Sequence, residues 1–504
     1  MSHRRALALG ALTASLCLPS TAFGIDEVNS KKLRDAVTVN GILQHERAFQ
    51  GIANANGGTR ASGTPGYDAS VAYAKQRLQK AGYKVTEQSF DFAFFRELGP
   101  ASLSQVSPTA KDYETETFEY SGSGTVTAKL QEVKDNLVPP TPEPSSTAGC
   151  EAADFAGFTT GNVALIQRGG CDFGVKVDNA AAAGAKAVII FNEGQPGRTG
   201  LMAGTLGAPK TLPTVGLTYD DGSALALQLR GGADVTVEVT TSTESETRQT
   251  KNLLADTKAG NADQTVVVGA HLDSVIEGPG INDNGSGSAT ILEIAEAMSE
   301  QKVKPRRAVR FAFWGAEESG LLGSEHYVTT LPAEKLTQIY ANLNFDMVGS
   351  PNYVRFVYDG DGSDTPVAGP PGSGEIESVF TRYFAGQGLA SEPTEFSGRS
   401  DYGPFIAVGI PAGGLFTGAE GIKTPEQAAI FGGTAGLAYD PCYHQACDTM
   451  NNLNVNALNE MSDAAAHATL TLATSKTGLF PDGSRKAARD KSKAKRFDGN
   501  HASD

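Results

Sequence analysis

At 504 residues the chain is too long for one ordinary hydrophobic core, so two domains are the starting expectation. Its 40% hydrophobic content, 20% charged content and 58 glycines fit a globular, loop-rich protein. A formal net charge of −15 supplies no basic face and argues against a nucleic-acid binder, while acidity itself implies no more than solubility.

Arg4 and Arg5 precede an apolar, small-residue stretch over 6–18, which closes on Thr21-Ala-Phe-Gly24. Residues 1–24 therefore read as a secretory signal peptide, too short in its apolar part to span a bilayer. An exported, extracellular protein without a membrane segment is expected. Gly63-Thr-Pro-Gly66 is a turn that launches a helix over 67–81; Gly82 ends it, and 84–92 alternates like a strand. The proline-rich run 138–147 reads as loop. After it, 163–167 predicts a strand, 173–183 a helix and 187–191 a second strand, one βαβ unit. This part holds no candidate ligand cluster, so a structural, substrate-gating or inhibitory role is expected of it. From residue 246 strands and helices alternate, which predicts a mostly parallel sheet. His467 lies on the alanine-rich last helix, 455–472, and reads as packed or solvated. Beyond Phe480, Arg485, Lys486, Arg489, Lys491, Lys493, Lys495 and Arg496 crowd a polar tail, by default a solvated terminus.

The chemistry concentrates where predicted strands end. The apolar run 265–270 stops at His271-Leu-Asp273-Ser274, and Pro279-Gly-Ile-Asn-Asp283-Asn-Gly-Ser-Gly-Ser288 enters a helix. Open α/β folds place their sites at such carboxyl ends of strands. Three similar displays follow. Phe311-Ala-Phe-Trp314 leads to Glu317 and Glu318, Leu343-Asn-Phe345 leads to Asp346, and His444 follows Cys442 and Tyr443 in a short loop closed by Cys447. His271, Asp283, Glu318, Asp346 and His444 supply two imidazoles and three carboxylates, with Glu317 a spare acid beside them. Imidazole and carboxylate are the usual oxygen and nitrogen ligands of zinc. One ion rarely recruits so many acids. A pair of ions roughly 3.5–4 Å apart, sharing a carboxylate, would use them all.

These strings, with Arg399-Ser-Asp401, Gly414-Leu-Phe-Thr-Gly418 and Cys442-Tyr-His-Gln-Ala-Cys447, give the chain its family likeness. It resembles the secreted di-zinc leucyl aminopeptidases of bacterial type, in the subgroup with an inserted protease-associated domain. Arg168-Gly-Gly-Cys-Asp-Phe173 resembles that inserted domain. The likeness, spanning about residues 40–475, implies an α/β fold with a mostly parallel central sheet flanked by helices, of the zinc-peptidase phosphorylase/hydrolase-like type. A smaller β-rich α+β domain is inserted in it. The expected division is a peptidase domain over 25–115 and 246–480, the protease-associated domain over 116–245, and a basic tail over 481–504.

By the same resemblance two zinc ions are held per chain. Asp283 bridges them, His271 and Asp346 complete one site, and Glu318 and His444 the other. Asp273, two residues after His271, fits the role of accepting the free imidazole N–H. Glu317 is the expected general base, since adjacent residues leaving a strand point in different directions. Tyr443 resembles the family's phenolic donor to the tetrahedral oxyanion. Glu317 and Asp346 are expected to face the substrate's free α-amine, and Arg399 its backbone or product carboxylate. Met347 and Phe416 resemble pocket walls, which favours leucine and other bulky apolar first residues. Peptides with a free N-terminus are thus the expected substrates and a monomer the expected state.

Cys17 leaves with the signal peptide, and the remaining four cysteines allow three pairings. Each has one near partner in its own motif, so Cys150–Cys171 and Cys442–Cys447 are expected. Some family members bind calcium through acids of the last helix; here Asn459 and Asp463 stand there, and calcium is not expected. A glutaminyl cyclase, with one zinc, and a non-catalytic receptor-like protein are the alternatives. The complete ligand set and Tyr443 favour the peptidase. Several relatives of this type are matured at a terminus, so the tail is a candidate for processing proteases at Arg485, Lys486, Arg489 and Lys495.

Overall fold

A computed structural model describes residues 25–480, Glu27 excepted. The expected signal peptide, Cys17 and the basic tail with its four cleavage points lie outside the described residues.

The described chain opens with helices α1 (Lys31–Arg34), α2 (Val39–Ala55) and α3 (Pro65–Lys80). At the start of α2 the Thr38 hydroxyl accepts the Gly41 N–H, and the helix buries Ile42, His45, Glu46, Phe49 and Ala53 on one face. The Thr64 hydroxyl caps α3, and Pro65 takes the first helical position, where its missing N–H leaves nothing unsatisfied. That choice starts the helix two residues ahead of the expected 67. Gly82, at φ +87°, supplies the left-handed residue that ends it.

Next comes β1 (Lys84–Ser107), which runs far beyond the alternating pattern that ends at residue 92. Two short strands, β2 (Lys111–Tyr113) and β3 (Glu116–Thr117), lead to β4 (Gly124–Glu132). The predicted βαβ unit follows as β5 (Val163–Gln167), α4 (Phe173–Ala182) and β6 (Ala187–Phe191). Then come β7 (Thr214–Leu217), α5 (Tyr219–Arg230) and β8 (Thr236–Asp256). β8 lies antiparallel along β1 from Lys84 opposite Asp256 to Ser107 opposite Thr236. Register shifts interrupt the pair near Glu97, Gly99, Ser102 and Gln105.

The remaining elements are β9 (Asn261–His271), α6 (Gly287–Glu300), β10 (Arg307–Trp314), α7 (Leu322–Thr330), α8 (Ala333–Gln338) and β11 (Ile339–Phe345). They are followed by β12 (Phe356–Tyr358), α9 (Ser373–Gly386), β13 (Glu392–Thr394), α10 (Gly403–Ala407), β14 (Ala412–Phe416), α11 (Pro425–Phe431) and α12 (Val455–Thr474). In the sheet β14, β11, β9 and β10 are parallel neighbours, and β12 and β8 flank them antiparallel. Helices cover the parallel strands, so β11 is buried along its whole length and β9 from Val266 onward. On the far side of β8 the order β4-β5-β6-β7-β3 builds the inserted domain around Leu165, Ile189, Val215 and Val237. Cys150 and Cys171 form a disulfide there. His467 is packed, its Nδ1 2.8 Å from the Ser30 hydroxyl and its ring stacked on Tyr383. Among the described residues no helix is long and apolar enough to cross a membrane.

Candidate metal centre

His271 is the last residue of β9 and pairs in register with Trp314, the last of β10. Glu317 and Glu318 follow β10, and Asp346 follows β11, so the carboxyl ends of three adjacent parallel strands converge. Trp314 anchors this edge, fully buried against Tyr327 and Phe405. Ala316, Met347 and His444 adopt φ of +54°, +51° and +56°. Left-handed backbone at non-glycine residues is held in place by the surrounding structure, and here it flanks or includes candidate ligands.

The structure brings together all five expected ligands and Glu317. His271 Nε2 lies 3.2 Å from Asp283 Oδ1 and from Asp346 Oδ1, and 3.8 Å from Glu317 Oε2. His444 Nε2 lies 3.4 Å from Asp283 Oδ2 and 3.0 Å from Glu318 Oε2. Asp283 therefore turns one oxygen toward each imidazole. The neighbouring acids diverge, Glu317 toward His271 and Glu318 toward His444.

Burial pushes Glu317 well above the usual carboxylate range, and with Asp283 nearby it pushes Glu318 up to about 7. Burial acts on Asp283 in the same sense, but the His271 and His444 imidazoles outweigh it and hold the carboxyl low. Burial would depress His444, yet Glu318 and Asp283 raise it to about 11. His271 is likewise lifted well above its ordinary value, with burial opposed by Glu317 and Asp346. So many buried acids demand compensating positive charge.

Other side chains fix this set, and three of them carried no local signal. Asp448 accepts the backbone N–H groups of Asn282 and Asp283, each at 2.9 Å. Arg60, fully buried, donates to the carbonyls of Leu272, Pro279 and Gly280 and so clamps the loop between His271 and Asp283. The Ser400 hydroxyl donates to Asp346 Oδ2 and accepts from Asn344 Nδ2 at 2.8 Å. Ser400 lies between Arg399 and Asp401, and only the fold carries its hydroxyl to Asp346. Asp401 is fully buried beside this group, and burial pushes its carboxyl up to about 8.

The free ring nitrogen of His271 meets the backbone oxygen of Asp273 at 3.2 Å; the carboxylate expected in that role is 3.7 Å away. The carboxylate instead accepts the Glu317 N–H at 3.3 Å, so it orients the acid after β10. Tyr443 stacks on His444 with ring centroids 3.8 Å apart, and burial keeps its phenol protonated. Arg399 donates to the Tyr443 hydroxyl at 3.4 Å and pairs with Glu420 at 2.5 Å. Met347 is buried, and Phe416 is half-buried and stacked on Phe356. Cys442 and Cys447 form the second disulfide. Asp463, on α12, faces the Arg34 guanidinium at 3.5 Å.

The donor set fits divalent cations. Ligand atoms of His271, Glu317 and Asp346, and of His271, Asp283 and Glu318, fall within 4.8 Å of one another. Glu318 Oε1 is buried without a hydrogen-bond partner, a cost of about 1–3 kcal/mol that a cation would remove.

Residues 252–469 match the model of peptidase family M28, and residues 133–225 match that of the PA domain. An aminopeptidase of Pseudomonas aeruginosa strain PAO1 is 48% identical over 499 residues, covering 93% of this chain and 91% of its own. Leucine aminopeptidase 2 of Trichophyton equinum is 40% identical, covering 90% and 88%. Among solved structures, the aminopeptidase from Aneurinibacillus sp. strain AM-1 superposes with TM-score 0.62 at 28% identity, covering 89% of this chain and 97% of its own. BSAP, a zinc aminopeptidase from Bacillus subtilis, gives 0.55 at 25%, covering 92% and 97%. An α/β hydrolytic fold with an inserted PA domain is thereby defined. The chain belongs to peptidase family M28.

Proposed function

We propose that the protein is a secreted aminopeptidase that uses two zinc ions to remove leucine and other bulky apolar residues from free peptide N-termini. The observation that carries this reading is Asp283, which turns one carboxylate oxygen to His271 and the other to His444. His271 and Asp346 would hold one ion, Glu318 and His444 the other, and Asp283 both. The similar proteins are themselves named aminopeptidases, one of them a zinc enzyme. Residues 25–115 and 246–480 form the catalytic body in this reading, and the two disulfides suit an oxidising, extracellular setting.

Zinc, when bound, supplies Lewis acidity and lowers the pKa of water. The protein's own part is proton movement and orientation. Glu317 takes the proton of the attacking water on its carboxylate and passes it to the leaving amine. Tyr443, kept protonated, donates its O–H to the developing oxyanion, and Arg399 steers that hydroxyl. Glu317 and Asp346 face the substrate's α-amine, which restricts cleavage to unblocked ends. Arg399 lies at the exposed edge of the site, where it can meet the substrate backbone.

The deciding experiment is hydrolysis of leucyl-p-nitroanilide before and after chelation, with zinc added back and counted. Activity should vanish and return with zinc. Equal cleavage of the N-acetylated substrate would end the exopeptidase reading.

A further inference from the structure

His45 is 1% exposed, on the buried face of α2, and its Nε2 makes no hydrogen bond. That nitrogen points at two carboxylates one turn apart on α6, 3.5 Å from Glu293 Oε2 and 3.9 Å from Glu296 Oε2. A hydrogen bond requires about 2.7–3.2 Å, so the imidazole and acids converge without bonding directly. In a tetrahedral zinc site with bonds of about 2.0–2.1 Å, neighbouring ligand atoms stand ~3.4 Å apart. The three ligand atoms all lie within 4.8 Å of one another.

Each of the three side chains already has a second partner. His45 Nδ1 is 2.7 Å from the Tyr73 hydroxyl. Glu293 Oε1 accepts from the Thr38 N–H and hydroxyl, both at 3.3 Å. Glu296 takes a two-pronged guanidinium contact from Arg77, one prong on Oε1 and the other on the same Oε2 that faces His45, whose second lone pair stays open to an ion. Ligating imidazoles and carboxylates are oriented by such outer partners. Gly41 makes the approach possible, since a Cβ there would fall 2.0 Å from Glu293 Oε1. If Nδ1–H donates to Tyr73, the Nε2 lone pair is left facing the Glu293 carboxylate and the Arg77-paired Glu296 carboxylate inside the fold. A cation removes that conflict.

We infer that His45, Glu293 and Glu296 form a further binding site for a divalent transition-metal ion, zinc or manganese by its donor set, separate from the catalytic centre. The bound ion staples α2 to α6. Its role is structural, and a fourth ligand position is left for water, because Glu293 and Glu296 are partly exposed.

The test is metal content of the desalted holoenzyme after incubation with zinc, for the native protein and for His45→Gln and Glu293→Gln. One equivalent fewer in each variant is expected, whatever the number bound at the catalytic centre. Leucyl-p-nitroanilide turnover should be unchanged, and the zinc-dependent rise in Tm that persists after catalytic saturation should be lost. Zinc-edge anomalous diffraction from native crystals requires no variant and should show a peak between His45 Nε2 and the two carboxylates. Equal metal content in all three proteins, or crystals with no peak there while the catalytic centre shows one, would overturn the site.

Discussion

Asp448 holds Asp283 by its backbone: one carboxylate oxygen accepts the Asp283 N–H and the other that of Asn282. An acid outside the ligand set thus fixes the one residue that faces both imidazoles. Asn452 donates to Asp448 in turn, at 3.0 Å. In Asp448→Asn one end of the amide presents N–H to N–H. Zinc affinity should drop about 10–100-fold, read as faster loss of zinc to a competing chelator. Retention equal to that of the native protein would show that Asp283 needs no such support.

Glu317 and Glu318 should separate cleanly. Glu317→Gln is expected to lower kcat by about 10²–10⁴ while zinc content holds, the signature of a lost proton carrier. In Glu318→Gln zinc content should fall together with activity, because the oxygen facing His444 becomes an amide. Parallel zinc assays and kinetics check both.

The loop between Cys442 and Cys447 carries Tyr443 and His444, a donor and a candidate ligand. A loop this short contributes only about 2 kcal/mol of chain entropy. Replacing both cysteines by serine should therefore cut kcat/KM more than it lowers Tm. A folded double variant with native kinetics would remove the positioning role.

Lys176 gives the inserted domain a pH signature. It is fully buried, its ammonium donating to the Ala148 carbonyl at 2.6 Å, and burial depresses it from 10.5 to about 8. Below pH 8 both folded and unfolded chains carry the proton, and the folded state bears the full burial penalty. Between about 8 and 10.5 the unfolded chain binds more protons, so this residue's contribution to stability rises with pH by up to about 3 kcal/mol. Urea midpoints of native protein and Lys176→Met, compared at pH 7.5 and pH 10, should differ less at the higher pH. A constant difference would place the ammonium in contact with water.

Much of the candidate site was legible because His271, Glu318 and Asp346 stand at or within a few residues of a strand end, where an apolar run breaks into Gly, Asn and acid. His271 after β9 and Asp346 after β11 announce themselves in that way. Arg60 and Asp448 do not, since their partners lie more than a hundred residues off and only the fold joins them. The β1–β8 pair was underread for a related reason. The centre of β8 is Thr, Ser and Glu on half-exposed faces, and on β1 burial alternation fades past Phe94 although the ladder continues. The role expected of the Asp273 carboxylate fell to its own backbone, a distinction of less than an ångström that spacing cannot carry.

That same ladder governs how the inserted domain can move. β1 and β8 cross from one core to the other without a break in either strand, so there is no linker to act as a swivel. A rigid swing would have to peel apart backbone hydrogen bonds along the ribbon. Slack exists where the register slips, between Glu97 and Ser102 opposite Thr243 to Thr240, and again between Gln105 and Ser107. Any motion of the PA domain relative to the peptidase body therefore has to bend or twist this two-stranded ribbon.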